Sequence, residues 1–339
     1  MAVRRALSPC ALTRPLSASI IPILSKTHIH PSTIQRLQKT QSFASRSPPK
    51  APSYADVFTL SDIPLSSFES VISRNGSSFT DLSPEEYYRV AQKFSDAINR
   101  GSSPWTSSFT GTNLAPEDAI PAETLHKVAC IMRQITGPRS ADAFATALWS
   151  TASEMGYRPS TLSLARQLVR SGAYGRVPQL RRVEARFKGL VSSGKDADAL
   201  TAEGELLLEQ GRLDAAAAVL TKALKLSPRF EWRPYCRLCL GRAYLKMGKV
   251  DDARGLFEKL AQEGLVEADM ELAEMLRGSD ADEARQRMYT AACNGRRDMF
   301  TRLSEMELEL EAVGGEKDGE ERRLWAMEWS KLADGRVEY

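Results

Sequence analysis

Histidine is nearly absent: only His28, His30 and His126 occur in 339 residues. A metal site built from several imidazoles has no material in the body of the chain, and a nucleophile would have His126 as its one imidazole base. Cysteine is scarce too, with Cys10, Cys130, Cys236, Cys239 and Cys293 spread too widely for a disulfide framework or for paired C-x9-C motifs. No stretch of 18 apolar residues is present, so no apolar helix spans a bilayer. Neither a P-loop nor a dinucleotide fingerprint occurs, and the glycines read as turns between helices. These absences leave no catalytic constellation, no cofactor site and no metal site.

Acid is missing from one part of the chain. Residues 1–55 carry Arg4, Arg5, Arg14, Lys26, Arg36, Lys39, Arg46 and Lys50, and the first carboxylate is Asp56. The whole chain has 46 basic and 43 acidic residues, so removing those eight leaves 38 against 43, or −5 for the rest. An acid-free, Arg- and Ser-rich segment is the composition of a mitochondrial presequence. The inner-membrane potential draws such a cation inward by about 2.3 kcal/mol per charge per 100 mV. Val3, Leu7 and Ala11 share one helical face, although Pro9 and Pro15 limit it to short turns. A secretory signal fits less well, because Pro22 breaks the apolar stretch and a long basic tail follows it. We expect residues 1–45 to be a disordered presequence cleaved near Phe43, and the chain to reside in the matrix or on the matrix face of the inner membrane.

The remainder reads as helical, with no alternating strand pattern. Residues 46–82 are rich in Pro and Ser and are expected to be a linker. Ser83-Pro84-Glu85-Glu86 is a capping box with proline at the first helical position, so a firm helix starts there. Further helices are expected near 121–135, 139–155, 160–171, 178–192, 196–210, 212–226, 233–247, 249–263, 266–277, 281–294, 296–312 and 320–333. Short connections between them imply antiparallel pairs. The expected divisions are a helical region over 83–196, repeats over 197–312, and a turn with a capping helix over 313–339.

Within 200–228, Gly204, Leu207, Gly211, Ala216, Leu220, Ala223 and Pro228 follow a small, large, turn, small, large, small, terminator order. Leu240, Gly241, Tyr244, Gly248, Ala253 and Phe257 repeat it, and Leu272, Met275, Ala284 and Met288 do so more loosely, with a large residue at 272. Ala216, Ala253 and Ala284 are separated by 37 and 31 residues. This pattern resembles the tetratricopeptide (TPR) repeat, and the varied spacing resembles its Sel1-like relative. The resemblance implies an all-α solenoid of stacked antiparallel helix pairs, because one pair alone cannot bury its apolar face. It also implies a groove for a partner protein and no enzymatic activity.

Four further features bear on function. Cys236 and Cys239 form a C-x-x-C inside an expected helix, without the second pair that zinc needs, and read as small core residues. His126 reads as a helix-surface residue. Residues 158–188 hold seven arginines and Lys188 against one acid, Glu184. Arg166, Arg170, Arg181, Arg182 and Arg186 are therefore candidate contacts to an acidic protein, to RNA or to a lipid surface, with a solvated face balanced by neighbouring acids as the plainer reading. Finally, Arg242 alone matches the Lys/Asn/Arg clamp that some TPR domains use for a C-terminal carboxylate, so it joins the candidates. The expected function is a mitochondrial adaptor or assembly factor holding a protein. An RNA-associated factor in mitochondrial gene expression is the alternative, although aromatic side chains are not interleaved with the arginines.

Overall fold

The computed structural model describes residues 57–105, 120–313 and 316–334; the expected presequence and its cleavage point near Phe43 lie outside them. Among the described residues every regular element is helical. In chain order they are α1 (Leu65–Arg74), α2 (Pro84–Asn99), α3 (Ala122–Gln134), α4 (Arg139–Glu154), α5 (Arg158–Arg170), α6 (Arg181–Ser193) and α7 (Ala197–Glu209). They continue as α8 (Leu213–Leu226), α9 (Arg233–Lys246), α10 (Val250–Gln262), α11 (Val266–Leu276), α12 (Ala281–Cys293), α13 (Asp298–Val313) and α14 (Glu316–Ala333). A 3-10 turn, Pro178–Leu180, precedes α6. The chain divides into two compact units, one ending at Leu164 and the other beginning at Ala165. That division follows compactness, whereas the expected boundary at 196/197 follows the repeat pattern.

Of the expected linker at 46–82, residues 46–56 lie outside the described residues, and 57–82 hold a helix and core side chains in the first unit. Residues 65–74 form α1, and Phe58, Ile63, Phe68, Val71 and Phe79 are all buried. Pro64 occupies the position before the helix, where a missing N–H costs nothing, so it starts the helix instead of breaking the chain. Phe58 packs edge-on to Phe144 at 5.4 Å, and the Ser95 hydroxyl donates to its carbonyl at 2.6 Å. The capping box at Ser83 is present, with Glu86 N–H donating to the hydroxyl and the Glu86 carboxylate accepting from Ser83 N–H.

The second unit builds up by repetition. Pairs α7/α8, α9/α10, α11/α12 and α13/α14 pack internally, and each second helix packs on the first helix of the next pair. The turns explain the antiparallel pairing. Gly211 (φ 73°) and Gly248 (φ 78°) take left-handed conformations at the helix ends, where an L side chain would be strained. The residue after each glycine donates back to the last helical turn, Arg212 N to Leu207 O and Lys249 N to Tyr244 O, both at 2.9 Å.

Close approach needs smallness elsewhere. A Cβ at Gly204 would lie 2.4 Å from Leu220 side-chain carbons, and one at Gly241 would lie 2.5 Å from the Phe257 ring. In the third pair Leu272 does not take that place. It packs with Leu238, Phe257 and Leu260 toward the preceding pair, while Ala273 joins Ala284 and Met288. The small position has moved by one residue, which rotates α11 by about 100°, a little over a quarter of a turn, relative to the motif.

Candidate functional site

The arginines of the basic segment do not form one exposed stripe. Arg166 is 4% exposed, and Arg170 is largely covered. Both turn onto Glu205 of α7: Arg166 Nε donates to Oε2 at 3.3 Å and Arg170 Nε to Oε1 at 2.7 Å. Tyr235 of α9 completes the cluster, donating its hydroxyl to the same carboxylate and accepting from Arg170 Nη2 at 2.9 Å. The Arg166 guanidinium lies 3.8 Å from the Tyr235 ring centroid and 5.1 Å from that of the buried Trp232. Burial alone raises the Glu205 carboxyl, but the two guanidiniums and their hydrogen bonds outweigh it and hold the group below its ordinary range. Burial pushes the Tyr235 phenol well up.

The same arrangement recurs down the stack. Arg242 of α9 donates to Glu271 of α11 at 2.7 Å, and Arg277 at the end of α11 is bidentate to Glu309 of α13 at 2.7 and 3.0 Å. Arg242–Glu271 and Arg277–Glu309 each join the first helix of one pair to the first helix of the next, across 29 and 32 residues, and Arg170–Glu205 joins α5 to α7 across 35 residues. Arg166, Arg170 and Arg242, expected as partner contacts, are thus engaged within the protein. The plainer reading, arginines balanced by neighbouring acids, describes them. Arg181 and Arg182 are exposed at the start of α6 and Arg186 is half-buried. Glu184, the one acid of that segment, is buried and accepts from Gly175 N–H at 2.7 Å, so it closes a loop.

His126 differs from the surface expectation. It is half-buried, its Nδ1 lies 2.9 Å from Ser160 Oγ, and its ring lies 5.4 Å from that of Tyr157. Burial lowers its pKa to about 4. Ser160 is fully buried, which denies its hydroxyl contact with any substrate, so the pair is a packing contact. Cys236 and Cys239 are free and buried, with thiols pushed up by burial to about 11 and about 12, the behaviour of inert core residues. Among the described residues no cluster of metal-ligating side chains occurs, and no helix is long and apolar enough to cross a membrane.

A second feature had no sequence signal beyond its aromatic residues. Between α12, α13 and α14 lies a cavity of about 640 Å³ whose walls include Tyr289, Trp325 and Trp329. Trp325, Leu324 and Met327 are about half exposed on what the sequence suggests is a capping helix.

Two repeat-family matches agree with this architecture. Residues 207–273 and residues 177–229 each match a model of the tetratricopeptide repeat. No curated protein sequence matches the chain. Among solved structures, the crystal structure of a Sel1 repeat protein from Oxalobacter formigenes is similar with a TM-score of 0.44 and 15% identity, covering 73% of this chain and 99% of that one. The repeat matches and the helix pairing define a TPR-type α-solenoid. Repeats of this class are protein-interaction modules and are typically non-enzymatic.

Proposed function

We propose that this chain is a non-catalytic mitochondrial adaptor or assembly factor that holds a partner protein on its helical repeats. The observation that carries the reading is the uninterrupted run of helix pairs from α7 to α14, overlapping the tetratricopeptide matches at 177–273. Such a stack offers a rigid, extended surface with side chains at regular intervals, suited to gripping another chain. The acid-free composition of residues 1–55 supports the mitochondrial address. The inward pairing of Arg166, Arg170 and Arg242 weighs against the RNA alternative, because the phosphate backbone needs unpaired surface cations.

Two measurements test the reading. Radiolabelled full-length chain incubated with isolated mitochondria is expected to become protease-protected and shortened, and an uncoupler should abolish both. Continued protease sensitivity in energised mitochondria would remove the address. Affinity purification of the tagged chain from mitochondria, with and without RNase, then addresses the partner. Associations that persist after RNase support the adaptor, whereas loss of all associations favours the RNA factor.

A further inference from the structure

The basic segment keeps one face that the protein does not use internally. On α6 the buried side chains are Val183, Glu184 and Phe187. The helical period puts Arg181, Arg182, Ala185, Lys188, Gly189 and Ser192 on the opposite side, and all of them are exposed. Arg176 before the helix and Lys195 after it are exposed as well. Among the described residues none of these cations takes part in an ion pair. Glu184, the one acid between 171 and 195, is turned inward onto Gly175 N–H at 2.7 Å. Asp196, next along the chain, caps α7 by accepting from Ala199 N–H at 3.0 Å. Glu203 of α7 feels both Lys188 and Arg212, so that acid comes with a further cation. Lys222 Nζ of α8 lies 3.1 Å from the point a Gly194 Cβ would occupy, which brings one more positive charge to the C-terminal end of α6.

What this face lacks narrows the occupant. Among the described residues no exposed large apolar side chain lies between 171 and 195. Folded protein partners are gripped chiefly by aromatic and apolar anchors, and none is offered here. Tyr174 and Phe187 pack edge-on at 6.1 Å, with Phe187 and the Tyr174 oxygen buried, so no ring is presented for a base to stack on. Ala185, Gly189 and Ser192 add neither bulk nor charge. The face therefore offers charge alone, spread along about 20 Å of helix, more than two Debye lengths at physiological salt. Each cation then needs a counter-charge of its own. A fluid layer of anionic headgroups supplies them, since lipids move sideways to meet each cation and no fixed geometry is required.

We propose that the exposed face of α6, with Arg176, Arg181, Arg182, Lys188 and Lys195, holds the protein against an anionic membrane surface. Contact is peripheral and electrostatic, because this face has no large apolar side chain to enter the bilayer. Each cation near such a surface raises partitioning about fivefold, and salt weakens the attraction. The proposal goes beyond the adaptor reading. It depends neither on which protein the repeats hold nor on the mitochondrial address.

The test floats the purified full chain with vesicles of phosphatidylcholine, alone or with added cardiolipin. Residues 1–55 carry cations of their own, so all of those are replaced by glutamine in every protein compared. Binding is expected to the cardiolipin vesicles only, and to be lost in high salt. Arg181→Gln, Arg182→Gln and Lys188→Gln together should weaken it about one hundredfold, at about fivefold per cation. The charge-preserving set Arg181→Lys, Arg182→Lys and Lys188→Arg should stay within about twofold of the parent, because headgroups demand charge and not guanidinium geometry. Every substituted side chain is exposed, and circular dichroism checks the fold. Undiminished flotation of the glutamine variant would overturn the proposal. So would loss of binding in the charge-preserving set, which would indicate a protein partner of fixed shape. A parent that ignores cardiolipin vesicles at low salt would overturn it too, and retardation of RNA by the same residues would then name the occupant. None of these results alters RNase-resistant protein association, so this proposal and the adaptor reading fail separately.

Discussion

Replacing Glu205 with glutamine removes the one carboxylate that compensates both Arg166 and Arg170. Among the described residues Arg166 has no other acceptor, and its Nη1 and Nη2 are buried without hydrogen bonds. The side chains of Arg166 and Glu205 are only 5% and 6% exposed, so water replaces little of the lost interaction. Breaking a buried ion pair by removing one partner costs about 3–5 kcal/mol, because the other charge stays buried. For a unit of this size each kcal/mol lowers Tm by roughly 2–4 °C, so a fall on the order of 10 °C is expected. The chain has two units and need not unfold in one step. Hydrogen exchange of amides in α7 and α9, compared with those in α3 and α4, therefore reports the loss where it occurs. Substituting the whole cluster with apolar residues (Arg166→Met, Glu205→Leu and Arg170→Met together) should recover most of the stability, since no charge is then stranded. The sign of the pH effect also follows. The folded carboxyl lies below its ordinary value of 4.5, so its stabilisation is complete above that value and is lost as pH falls through the lower folded value. A Glu205→Gln variant within about 0.5 kcal/mol of the parent, the range of ordinary surface substitutions, would refute this account of how α5, α7 and α9 are joined.

Other outcomes are expected. Gly204→Ala and Gly241→Ala each force a methyl into Leu220 or Phe257 and should cost about 1–3 kcal/mol in urea unfolding, whereas Gly189→Ala, in α6 with open space at its Cβ, should be neutral or stabilising. His126, with a folded pKa of about 4 against 6.5, binds its proton more readily when unfolded. Stability of the first unit should therefore be level above pH ~6.5 and fall by roughly 3 kcal/mol in total down to pH ~4, and His126→Gln should remove that slope. A thiol reagent should label the exposed Cys293 at once but reach Cys236 and Cys239 only on unfolding, and early labelling of either would contradict their core placement.

Much of the helical layout is legible in the chain because helix signals are local. Ser83 with Glu86 marks the start of α2 through contacts three residues apart. Leu213, Ala216, Leu220 and Ala223 mark one face of α8 through the helical period, and Gly211 marks the turn before it. Where reading failed, composition competed with packing. Pro and Ser around residues 48–66 suggest a linker, yet Phe58, Ile63, Phe68 and Val71 find a core that only the folded first unit provides. His126 likewise depends on Ser160 of α5 and on Tyr157 just before that helix, residues more than thirty positions further along the chain.

The charge pattern shows the division most clearly. The acid-free start, the basic run from Arg158 to Lys188 and the repeat of small and large residues are properties of the chain itself, and they determined the helix-pair class and the expectation of an import signal. Whether an arginine faces a partner or a neighbour is a different kind of property. Arg242 meets Glu271 because stacking brings residues one repeat apart onto adjoining first helices, and Arg170 of α5 meets Glu205 of α7 across a similar offset. An offset of 35 or 29 residues between opposite charges hints at this, but only the stack sets the rotation of each helix, as the move from Leu272 to Ala273 demonstrates. The open cleft at Trp325 is likewise a tertiary fact: whether a terminal helix seals its solenoid or leaves a cavity depends on how its face meets α12 and α13, and no local interaction encodes that.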